Sequence, residues 1–119
     1  MAVIRIEDLV VRTIVGINDW ERAKTQDILI NIEMEFDATR AIETDNIEDT
    51  LNYKNIKQKI VDFASDSKFF LLEKLVGEIL AIILEDAKVL AASVRIDKPH
   101  ALRFSKTVSI EMHSVREKG

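Results

Sequence analysis

The residues best placed to do chemistry lie in Ile96-Asp97-Lys98-Pro99-His100-Ala101-Leu102-Arg103. An alternating apolar–polar stretch ends at Lys98, and Pro99, the chain's one proline, fixes the backbone just beyond it. A lysine at a strand end rides on a rigid scaffold and still reaches a ligand. Three more groups have comparable settings: Glu21 in Gly16-Ile17-Asn18-Asp19-Trp20-Glu21-Arg22, Tyr53 in Leu51-Asn52-Tyr53-Lys54, and Glu73 in Phe70-Leu71-Leu72-Glu73-Lys74-Leu75. Each also has a plain reading. Glu21 fits a solvated turn with Trp20 packed on its rim. Tyr53 fits a half-buried packing residue at a helix start, Glu73 a carboxylate complementing a helix dipole, and Lys98 a surface lysine. Together they offer acid–base chemistry by an amine, a phenol and carboxylates.

Other chemistries fit the composition poorly. Two histidines, His100 and His113, are too few and badly spaced for a three-histidine zinc site, and the chain has no cysteine. Its three glycines form no phosphate-binding loop, and no serine or threonine stands near both a histidine and a carboxylate in a triad pattern. The expectation is a site without metal or cofactor. A net charge of −4 disfavours nucleic acid as a main partner, and 6% aromatic residues disfavour a base-stacking platform. A local basic pocket for one small anion stays compatible with that charge. No apolar run approaches the ~20 residues that span a bilayer. Met1-Ala2-Val3-Ile4-Arg5 does not open a secretory signal, so a cytoplasmic protein without membrane association is expected. At 119 residues, 47% hydrophobic and 32% charged, residues 1–119 read as a single domain.

The elements that must carry these groups follow from periodicity. A first strand runs from about Val3 to Val15, with Ile4 and Ile6 opposite Arg5 and Glu7. In the second, Ile28, Ile30, Ile32, Met34 and Phe36 oppose Leu29, Asn31, Glu33, Glu35 and Asp37. A third sets Ala92, Val94 and Ile96 against Ser93, Arg95 and Asp97, and a fourth sets Val108, Ile110 and Met112 against Ser109, Glu111 and His113. Between them, Ile56, Ile60, Phe63 and Ala64 make one helical stripe, and Leu72, Leu75, Val76, Ile79, Ile82 and Ile83 make another from about Leu71 to Ala87. The order ββααββ predicts an α+β fold: a four-stranded antiparallel sheet with two helices on one face. The long, proline-free second strand reads as an open edge, which predicts pairing with neighbouring copies into a multi-subunit barrel. The alternative is a monomer whose edges are protected by charge.

Gly16-Ile17-Asn18-Asp19-Trp20-Glu21, Gln26-Asp27, Leu51-Asn52-Tyr53, Leu72-Glu73 and Lys98-Pro99, in that order and spacing, resemble the family of dihydroneopterin aldolases and dihydroneopterin triphosphate epimerases over nearly the whole chain. The resemblance implies the tunnelling fold, homo-oligomers built as tetrameric rings or octamers, and sites between subunits. It implies a small-molecule pterin substrate gripped by Glu73, whose carboxylate accepts two adjacent ring donors, with backbone contact from Leu72. Glu21 and Lys98 would face the substrate's trihydroxypropyl side chain, with Lys98 as acid–base through an ordered water. Tyr53 would come from the neighbouring subunit and exchange a proton with the ring carbon. The implied reaction is retro-aldol cleavage in folate biosynthesis, with the dihydropterin C=N group as electron sink.

The two activities of the family leave different marks. Asp19-Trp20-Glu21 looks like the aldolases, while His100-Ala101-Leu102-Arg103 looks more like the epimerases. His100 and Arg103 would contact a triphosphate there, arginine bidentately, or merely shape a turn. The aldolase is the preferred reading and the epimerase its alternative. A non-catalytic pterin- or purine-binding oligomer is a third, which would need Glu73 but not Lys98.

Overall fold

The computed structural model describes residues 1–117. Strands β1 (Ala2–Thr13), β2 (Gln26–Phe36), β3 (Ala91–Pro99) and β4 (Thr107–Val115) form one antiparallel sheet in the order β1-β2-β3-β4. Helices α3 (Tyr53–Asp66) and α4 (Leu72–Leu84) cover one face. Ile28, Ile30, Ile32 and Met34 from β2, and Val94 and Ile96 from β3, are fully or almost fully buried against Ile60 of α3 and Leu75, Val76, Ile79 and Ile83 of α4. The period-2 and period-3.6 patterns thus meet in a single core. Asn52 caps α3, its side chain accepting the Asn55 backbone N–H at 3.2 Å.

The predicted open edge lies elsewhere. β2 is an interior strand, paired with β1 along one side and β3 along the other, and the edges are β1 and β4. Its alternation is clean because one side of it packs against helices, not because it is an edge.

β1 also departs from simple alternation. Ile6 pairs with Ile32 and Leu9 with Ile30, so Glu7 and Asp8 together oppose Asn31. Asp8 takes a positive φ of 52° and donates its N–H to Asn31 Oδ1 at 2.9 Å. This bulge resets the parity of the strand. Ile4 and Ile6 before it, and Leu9, Val11 and Thr13 after it, therefore all turn toward the helices.

Two segments carry structure that periodicity did not reveal. The β1–β2 connection holds a single-turn helix, α1 (Asp19–Arg22), and the β2–α3 connection holds α2 (Thr39–Thr44) and a 3-10 turn (Ile47–Asp49). The face of the sheet away from the helices is polar. Arg5 pairs with Glu33 at 2.9 Å, Arg95 with Asp97 at 3.0 Å, and Ser93 Oγ with His113 Nδ1 at 2.7 Å. Ser93 and His113 are direct cross-strand partners, a proximity hidden by their separation in sequence.

Candidate active site

β3 delivers Lys98 to the end of the sheet and α1 delivers Glu21 to meet it. Lys98 Nζ donates to a Glu21 carboxylate oxygen and, at 3.0 Å, to the carbonyl of Val15. The two side chains are 12% and 5% exposed, so the pair is largely withdrawn from water. The solvated-turn reading of Glu21 is overturned, and it is Trp20, 60% exposed, that faces solvent. The cause is non-local, because Glu21's countercharge lies 77 residues away.

A local device also fixes Glu21. Its other oxygen accepts the Asn18 backbone N–H at 3.3 Å and the Asn18 side-chain amide at 2.8 Å. This is the reciprocal arm of a capping box, in which a residue three places into a helix reaches back to the N-cap. Burial works to raise the Glu21 pKa. The Lys98 ammonium and the Asn18 donors outweigh it and hold the carboxyl below its ordinary value of 4.5. Gly16 makes room for the carboxylate: with φ at +142°, a Cβ there would sit 2.3 Å from it.

The remaining predicted residues fall in three places. Leu72, buried, and Glu73, exposed, open α4. Their end of the molecule is tied to the β1–β2 connection by the Gly16 N–H, which donates to the Phe69 carbonyl at 3.2 Å. His100 and Arg103 are exposed in the β3–β4 hairpin. His100 takes a φ of 58° and donates its N–H to the Lys106 carbonyl at 3.1 Å, while the Arg103 guanidinium stands 5.3 Å from the Phe104 ring centre. Neither makes a hydrogen bond to Lys98 or Glu21.

Tyr53 is remote from the pair. It is 48% exposed and lines a cavity of about 710 Å³ with Ile4, Ile6 and Lys57. Ile6 is level with Ile32 and Val94, four residues from Lys98 along the sheet. That is roughly 13 Å at about 3.3 Å per residue. One chain therefore assembles Glu21 and Lys98, sets Leu72 and Glu73 at the adjoining start of α4, and leaves Tyr53 apart.

Sequence reasoning assigned no role to Asn18, Gly16 or Arg22. The Asn18-x-x-Glu21 spacing was the available signal for the first. Among the described residues, no cluster of three or more His, Cys, Asp or Glu is placed to hold a metal ion, and no helix is long and apolar enough to cross a membrane.

The chain is thus an α+β protein: a helix-backed, four-stranded antiparallel sheet with a buried ion pair at the end of its third strand. The chain belongs to the dihydroneopterin aldolase family, whose model matches residues 4–113. It is 43% identical over 112 residues to the dihydroneopterin triphosphate 2'-epimerase of Pseudomonas aeruginosa, covering 94% of this chain and 91% of that protein. It is 29% identical over 105 residues to the dihydroneopterin aldolase of Haemophilus influenzae, covering 88% and 89%. The crystal structure of Escherichia coli dihydroneopterin aldolase in complex with neopterin matches with a TM-score of 0.91 at 27% identity, covering 96% of this chain and 99% of that one.

Proposed function

We propose that the enzyme performs retro-aldol chemistry on a 7,8-dihydroneopterin, and that its main outcome is 2'-epimerisation of the triphosphate. The observation that carries the reaction type is the buried Lys98–Glu21 pair at the end of β3. In its free-amine form Lys98 accepts the proton of the side-chain hydroxyl next to the scissile bond. The carbon–carbon bond breaks, its electrons enter the ring C=N group, and glycolaldehyde or its triphosphate-bearing counterpart forms. Reprotonation of carbon completes cleavage. Rotation of the aldehyde and re-addition completes epimerisation. Glu73 accepts the two adjacent donors of the pterin ring, with Leu72 beside it. Tyr53 of a neighbouring copy supplies the carbon-directed proton, which requires an oligomer.

Two observations favour the triphosphate over the unphosphorylated substrate, against the preference drawn from sequence alone. The identity to a triphosphate epimerase is 43%, against 29% to an aldolase. Residues 98–110 hold Lys98, His100, Arg103 and Lys106 and no carboxylate, in a chain of net charge −4. That composition suits a polyanion. Aldol cleavage of dihydroneopterin remains the second reading, favoured by Asp19-Trp20-Glu21. Incubation with dihydroneopterin and, separately, with its triphosphate decides between them. Epimer from the triphosphate with little cleavage is expected. Fast glycolaldehyde release from dihydroneopterin makes the protein an aldolase. Neither product, despite pterin binding, leaves a non-catalytic binder.

A further inference from the structure

We infer that Arg22 is a positioning residue that sets the ring-binding start of α4 at a fixed distance from the Lys98–Glu21 pair. This inference rests on the proposed roles of Glu73 and Lys98. Arg22 follows Glu21 directly but points the other way. Its Nη1 donates to the Gly16 carbonyl at 3.2 Å and to the Phe69 carbonyl at 3.0 Å, its Nη2 donates to the Lys68 carbonyl at 2.5 Å, and its guanidinium lies 4.0 Å from the centre of the Phe70 ring. One planar cation thus joins the connection carrying Glu21 to the loop leading into Leu72 and Glu73.

The surrounding bonds make this a continuous bridge. Lys98 holds the carbonyl of Val15, and the next residue, Gly16, gives its carbonyl to Arg22 and its N–H to Phe69. The path from the amine to the start of α4 runs through Val15, Gly16, Arg22 and Phe69, with no long unsupported segment. α4 needs such external support, because its N-cap is Leu71, whose side chain supplies no capping hydrogen bond. Arginine suits the task, since its fork serves several carbonyls at once and its flat face stacks on an aromatic ring. A lysine of similar reach presents a single point charge.

The consequence is a split between ring binding and turnover. A bare pterin lacking the trihydroxypropyl chain touches only the Leu72–Glu73 side. The full substrate must be held on both sides of the bridge, and a misplacement of about 1 Å between reacting groups costs on the order of 100-fold in rate. The test uses Arg22→Met and Arg22→Lys of the full chain, with melting curves, bare-pterin affinity, and kcat and KM on dihydroneopterin and its triphosphate. Expected are a 10- to 100-fold fall in kcat for Arg22→Met, on the order set by that misplacement, bare-pterin affinity within about twofold of the unmodified protein, and partial recovery of kcat in Arg22→Lys. Equal loss of pterin affinity and turnover, in step with a lowered melting temperature, would make Arg22 only structural and overturn the inference. Unchanged kcat in a folded variant overturns it as well. If Arg22→Met does not fold, Arg22→Lys alone decides by the same split, because it keeps the charge and stem. Glu73→Gln is run in parallel: bare-pterin affinity unaffected by that change sinks the assigned role of Glu73 itself, a result separable from any result at Arg22.

Discussion

Glu21 and Lys98 stand in for each other's water. Two charges that are 5% and 12% exposed are tolerable only as partners, and removing one partner of a buried pair typically costs about 3–5 kcal/mol. The sign of the pH dependence follows from Glu21. Its folded pKa lies below the ordinary 4.5, so the unfolded chain takes up the proton first as acid is added. The pair's contribution is complete above 4.5 and is lost as pH falls through the folded value. The gap in urea-unfolding free energy between the unmodified protein and Glu21→Gln should be flat at neutral pH and close below 4.5. A gap that persists undiminished into strong acid contradicts the ion pair. The two sides of the site should separate kinetically. Lys98→Ala is expected to lower kcat by ~10²–10⁴-fold with pterin affinity nearly kept. Glu73→Ala should weaken pterin binding by about 1–3 kcal/mol, because the ring's donors lose their acceptor. Normal turnover in Lys98→Ala would remove the amine from the mechanism.

Elements decide whether those residues meet, and here the sequence was legible in parts. β2 could be read because five alternate apolar residues, Ile28 to Phe36, all pack on one side. The α3 and α4 stripes could be read for the same reason at the helical period. The phase of β1 past Ile6 could not, since the bulge at Glu7 and Asp8 shifts its parity without a glycine to announce it. α1, at four residues, is shorter than any usable period. Lys98 stood out through its strand end and Pro99, whereas Glu21's burial depends on a partner that local pattern cannot supply. Gly16 ties this level to the last. Gly16→Ala places a Cβ against a carboxylate already held by Lys98 and Asn18, at a φ that L residues rarely adopt. A loss of roughly 1–3 kcal/mol in urea denaturation is expected. In a Glu21→Ala background that loss should shrink to the backbone part, and full additivity would show that the clash is relieved elsewhere.

The molecule as a whole is more drawn out than its length requires. Its Cα radius of gyration is 15.7 Å, with extents of 52 × 27 × 22 Å. A compact chain of this size comes to roughly 13.5 Å. The excess reflects a sheet covered on one side only, with β1 and β4 presenting unpaired backbone and the exposed side chains of Val3, Val10 and Val115. Open edges of this kind invite another copy, and the proposed shared site requires such pairing to bring a second chain's Tyr53 to a Lys98 from which its own chain's Tyr53 is remote. The prediction is complementation. Tyr53→Phe and Lys98→Ala, each poorly active alone, are unfolded together and refolded at equal amounts. A site that draws Lys98 from one chain and Tyr53 from the next is intact when both happen to be unmodified, which random closed assembly gives in about one quarter of sites. Activity should rise to about that fraction of the unmodified protein. Mixed oligomers, verified by mass, that stay as inactive as either parent would mean that Lys98 and Tyr53 of one site come from the same chain and would sink the shared site.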